Sequence, residues 1–171
     1  MDKAIIPKEH IEIISKIQKL KENKATSAHL QIPHKLLEFI FTIEGINSTS
    51  KLILINLLKR QNWTNEHLYI AVSYTQLQND LNLKKGSISN SLKQLRDENN
   101  KLVEVKSGTK NKEEIRKIKE IIYKQTQRAT RSFNELNIYD LTPLYEKYFT
   151  YLNSNPSDNS NTNHLIDHMQ G

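Results

Sequence analysis

The sequence predicts a mostly α protein with a small β-wing, and three observations carry that prediction. Ser73–Glu98, SYTQLQNDLNLKKGSISNSLKQLRDE, reads as two short helices joined by a tight turn. Segments that favour strand lie on either side of it, Leu68–Val72 and Lys101–Lys106. Positive charge gathers between Lys84 and Arg131, where 14 Lys and Arg face 6 Asp and Glu, while the rest of the chain holds 11 against 13.

The 171 residues suit one domain with extensions, and 36% apolar residues suffice for one modest core. No run of about 18 apolar residues is present, so no membrane-spanning helix is expected. The opening MDKAIIPKEH lacks the apolar region and cleavage site of a signal peptide. The absence of cysteine excludes disulfides and thiolate zinc sites. A cytoplasmic location is the expectation.

In chain order, Pro7 to Asn23 is predicted as an amphipathic helix, with Ile11, Ile14, Ile17 and Leu20 at helical spacing. A second helix is expected from about Pro33 to Glu44, apolar nearly all round and so requiring burial on more than one side. Residues 1–47 thus form an N-terminal helical extension, which either completes the core or makes a dimer interface. Ser50 to about Trp63 is the next helix, carrying Leu52, Ile53, Ile55, Leu57 and Leu58.

After the strand Leu68–Val72, Ser73 begins a helix with a capping-box start to Gln76, and Leu77 and Leu81 share one face. Leu83-Lys84-Lys85-Gly86 is read as the turn. Ser87 is then expected to cap a second helix, Ser87–Glu98, whose apolar stripe is Ile88, Leu92 and Leu95. The opposite side offers Ser89, Asn90, Lys93 and Gln94, with Ser87 at the N-terminus. Short hydrogen-bonding side chains plus a cation are what reading base edges requires, so Ser87, Ser89, Asn90, Lys93 and Gln94 are candidate base readers. Lys84, Lys85, Lys106, Lys110, Lys112, Arg128 and Arg131 are candidate phosphate contacts, because clustered cations gain by displacing counterions from a phosphate backbone.

Asn99-Asn100 turns the chain into the strand Lys101–Lys106. A second wing strand is expected only at Leu136–Leu141, so residues 107–135 read as an extended wing. Part of it is a helix from Lys112 to about Gln125. Thr142-Pro143 opens a last, aromatic-rich helix to about Leu152, and residues 153–171 are expected to be a disordered tail. The DNA-binding domain is accordingly placed at 48–152.

Helix, strand, helix, turn, helix and wing, over about half the chain, resemble the bacterial winged helix-turn-helix superfamily. SISNSLKQLRDENNKLVEV looks like the recognition-helix-to-wing passage of such proteins. Tyr139-Asp140-Leu141-Thr142-Pro143-Leu144 is similar to a phrase in plasmid and phage replication-associated winged-helix proteins. Asn99-Asn100 replaces the usual glycine before the wing strand, and the wing insert is longer than the family pattern. The resemblance implies a sequence-specific double-stranded DNA-binding protein, foremost a transcriptional regulator working as a homodimer. The alternatives are a plasmid or phage replication-initiation or partition protein, and a protein-interaction module.

Catalytic signals are missing. There is no GxxxxGK loop and no serine in a nucleophile elbow, so no enzyme activity and no cofactor are expected. His164 and His168 stand at i, i+4 but without a third ligand, and no metal site is assigned. His10, His29, His34 and His67 are scattered and receive no role.

Overall fold

A computed structural model describes residues 4–21, 32–61, 66–106, 111–126 and 136–154. Among them are seven helices and three strands: α1 (Lys8–Lys21), α2 (His34–Thr42), α3 (Ser48–Arg60), β1 (Tyr69–Val72), α4 (Tyr74–Leu81), α5 (Lys85–Leu95), β2 (Glu104–Val105), α6 (Lys112–Thr126), β3 (Asn137–Asp140) and α7 (Thr142–Ser154). The fold is therefore mostly α with a small antiparallel sheet. No helix among the described residues is long and apolar enough to cross a membrane.

The sheet has the order β1-β3-β2, so β3, last in the chain, lies in the middle. It pairs Ile70 with Tyr139 and Ala71 with Ile138 on one side, and Val105 with Tyr139 on the other. Alternation along the strands separates two faces. Ile70, Val72, Tyr139 and Leu141 face the main core, while Tyr69 and Ile138 are buried against Ile118, Ile121 and Ile122 of α6.

Helix α3 is the centre of the main core. The Asn47 side chain accepts the Ser50 N–H at 2.8 Å and starts the helix, and Ile53, Leu54, Leu57 and Leu58 are all buried. Leu36, Phe39 and Ile40 of α2 and Ile13, Ile14 and Ile17 of α1 join the same cluster. Helix α7 closes it with Leu144, Tyr145 and Tyr148; the Phe39 ring lies 5.9 Å from Tyr148 and 5.0 Å from Tyr151, centroid to centroid. Residues 1–47, expected as an extension, thus supply part of the central core.

Helices α4 and α5 are joined as follows. Ser73 accepts the Gln76 N–H at 3.1 Å, and Asn82, in the left-handed region with φ 52°, ends α4. Leu83 N–H returns to the Gln78 carbonyl, the hydrogen bond that a left-handed helix end provides. Asparagine tolerates this geometry better than other non-glycine residues. The turn is therefore Asn82–Lys84, and Lys85 and Gly86 already belong to α5.

Three expectations need correcting. Ser87 does not cap α5: Lys84 holds the cap position without a side-chain hydrogen bond, and Ser87 lies within the first turn. The strand expected over Lys101–Lys106 shortens to Glu104–Val105, because the Leu102 and Val103 N–H groups both donate to the Leu95 carbonyl rather than to a neighbouring strand. The insert does not project as a wing tip where it is described, since α6 lies against the outer face of the sheet. Helix α7 also runs two residues into the segment read as tail, and 155–171 lie outside the described residues.

Candidate nucleic-acid interface

Helix α5 is seated by Ile88, Leu92 and Leu95, all buried, together with buried Ser91. With about 100° per residue, this stripe leaves Gly86, Ser87, Asn90 and Lys93 on the opposite side, and each is exposed. Ser89 is half-buried at its margin. The side chains of Ser87, Ser89, Asn90 and Lys93 make no hydrogen bond or ion pair among the described residues. Lys84 and Lys85, exposed at the start of the helix, are likewise unengaged among those residues. The arrangement can offer hydroxyls, one carboxamide and three ammonium groups to an external polyanion.

Gln94, expected beside them, belongs elsewhere. Its Oε1 accepts the Asn47 N–H at 3.1 Å and the Ser50 hydroxyl at 2.8 Å. It ties α5 to the first turn of α3 through that oxygen. Lys106 is also withdrawn from the predicted set. Its Nζ donates to Glu104 at 2.9 Å and Glu114 at 3.2 Å, and its side chain is 15% exposed. Burial alone would lower its pKa, but the two carboxylates outweigh that and raise it above the ordinary lysine value. Lys112 is exposed at the start of α6, on the helix that covers the sheet. Lys110, Arg128 and Arg131 lie outside the described residues.

Helix α4 is fixed to α3 by a polar bridge. Arg60 pairs with Asp80, and Asn56 joins them, accepting from Arg60 Nε at 2.9 Å and donating to Asp80 at 3.3 Å. The Asn56 hydrogen bond and the Arg60 guanidinium hold the Asp80 carboxyl below its usual range.

A second polar group, unassigned by the sequence reading, lies buried where α1, β1, β3 and α7 meet. Leu68 N–H donates to His10 Nδ1 at 3.0 Å, which leaves His10 Nε2 to donate to Asp140 at 3.2 Å. The other Asp140 oxygen accepts the Thr142 N–H at 2.9 Å and its hydroxyl at 2.6 Å. Burial would raise the Asp140 pKa, but these hydrogen bonds hold it below the ordinary value. His67 Nδ1 accepts the Tyr69 N–H at 3.2 Å, and its buried Nε2 has no hydrogen-bond partner among the described residues. Burial, with His10 nearby, lowers the His67 pKa to about 4. The signal for His10 was in the sequence: it occupies the apolar register of α1 with Ile13, Ile14 and Ile17. The Asp140-Leu141-Thr142-Pro143 phrase forms this junction and the start of α7.

Comparison with family models, with curated proteins and with solved structures finds no match to this chain.

Proposed function

We propose that this chain is a sequence-specific double-stranded DNA-binding protein of winged helix-turn-helix architecture, acting as a transcriptional regulator. The observation that carries the reading is the outward face of α5, where Ser87, Asn90 and Lys93 stand exposed and unengaged among the described residues behind Lys84 and Lys85. A helix that only covers a core more often satisfies its surface with internal ion pairs, as Arg116 does on α6 with Glu113 and Glu120. The order α3, β1, α4, α5, β2, β3, with α6 inserted between the last two strands, and the sheet order β1-β3-β2 support the architecture. One short helix reads too few base pairs for useful specificity, so the working form is a homodimer on paired half-sites. The Asp140-Leu141-Thr142-Pro143 phrase has a local structural task here, so it adds no weight to a replication or partition role.

The test is duplex binding by fluorescence anisotropy at rising salt. Binding should weaken with salt, and Lys84→Ala with Lys85→Ala should flatten the log–log slope by about two per protomer, about four for the homodimer. Absence of binding to any duplex at low salt would overturn the reading in favour of a protein-interaction module.

A further inference from the structure

If α5 reads duplex DNA as proposed above, its own chemistry restricts what it reads. Ser87 to Lys93 is seven residues, a rise of about 9 Å along the helix axis. With base pairs spaced about 3.4 Å apart, that covers roughly three of them. The span cannot extend productively toward the C-terminal end, where Asp97 and Glu98 are exposed carboxylates that phosphates repel. It cannot extend through Gln94, whose carbonyl oxygen is held by Asn47 and Ser50.

Within this span only Asn90 carries a carboxamide free of internal hydrogen bonds among the described residues. It sits midway, three residues from Ser87 and three from Lys93. A carboxamide presents one acceptor and one donor side by side. In the major groove only adenine offers the complementary pair, the N6 amino group and the N7 acceptor. Guanine offers two acceptors there, cytosine a donor, and thymine an acceptor beside a methyl group. A hydroxyl, as on Ser87 and Ser89, serves donors and acceptors alike and discriminates less. The Lys93 ammonium can only donate, so it suits guanine or a phosphate.

We propose that Asn90 specifies an A·T pair at the centre of a recognition element of about three base pairs, with the purine facing α5. Ser87 and Lys93 then contact its two flanks.

The test is selection of binding sites from a random duplex library with the wild-type chain and with Asn90→Ala, thermal unfolding confirming that the variant folds. Wild-type sites should share one adenine, and 7-deazaadenine there, which lacks the N7 acceptor, should weaken binding roughly 5- to 100-fold. Asn90→Ala should lose the preference at that position alone. Identical selected sites for both proteins, or tight binding that tolerates 7-deazaadenine, would overturn the proposal while leaving DNA binding in place. Failure of the wild-type chain to bind any duplex at low salt would remove the proposal together with the function on which it rests.

Discussion

Gln94 on α5 reaches back to Ser50 in the first turn of α3, accepting its hydroxyl at 2.8 Å. The same oxygen takes the Asn47 N–H, and the buried Ser50 hydroxyl also donates to the Ser91 carbonyl at 3.3 Å. The angle of the exposed helix is therefore set at the N-terminus of the core helix. Gln94→Ala removes this acceptor, but Ser50 keeps the Ser91 carbonyl and the Asn47 N–H can be hydrated, so it should cost about 0.5–1.5 kcal/mol in urea unfolding. Its effect on sequence preference should be far smaller than that of Asn90→Ala. A Gln94→Ala chain of unchanged stability and altered base preference would return Gln94 to the set of base readers.

The two glycines flanking this arrangement should respond in opposite directions. Gly45 has φ +82° between α2 and α3, and a Cβ there would come within 3.3 Å of Asn100 Nδ2. Gly45→Ala should therefore destabilise by about 1–2 kcal/mol, chiefly through the left-handed backbone. Gly86 sits in the first turn of α5 and a Cβ there meets nothing within 4 Å. Gly86→Ala should stabilise by about 0.5–1 kcal/mol, because it restricts the unfolded chain. Thermal unfolding of both variants checks the pair.

His67 should make the fold acid-sensitive. Its pKa is about 4 when folded, against 6.5 for an unperturbed imidazole, so the unfolded chain binds the additional proton between those values. Stability then falls as pH drops from 6.5 and levels off near 4, by on the order of 3 kcal/mol in all. Asp140 has a depressed pKa, so its contribution is present at neutral pH and is lost only at lower pH still. His67→Asn keeps an acceptor for the Tyr69 N–H and removes the titration. Urea midpoints at pH 7, 5.5 and 4.5 should show a shallower decline in this variant than in the wild type. Equal declines would place the acid sensitivity elsewhere.

The elements that were legible in the sequence are those whose signal is local. Ser73 with Gln76 and the stripe Ile88, Leu92, Leu95 are set by neighbours in the chain, and the helices appear within a few residues of expectation. The outward placement of Ser87, Asn90 and Lys93 follows from the same periodicity. The link from Gln94 to α3 was not legible because its partners lie more than 40 positions away. The His10–Asp140 pair spans 130 positions, so the apolar register of His10 marks it as buried without naming its partner. The insert was read as a projecting wing because Ile118, Ile121 and Ile122 declare an amphipathic helix without saying what it covers.

Lys106 distinguishes a structural cation from a DNA-facing one. It joins β2 to the start of α6 through Glu104 and Glu114, both carboxylates being partly solvated at 39% and 41% exposure. Lys106→Met keeps the apolar stem and removes the charge. The two carboxylates can then be hydrated, so the loss should be modest, about 1 kcal/mol. It should be local, with faster amide exchange in the first turns of α6 and little change in α3. The salt slope for duplex binding should match the wild type, whereas Lys84→Ala with Lys85→Ala flattens it. A slope reduced by about one per protomer in Lys106→Met would mean that the ammonium leaves Glu114 to hold a phosphate.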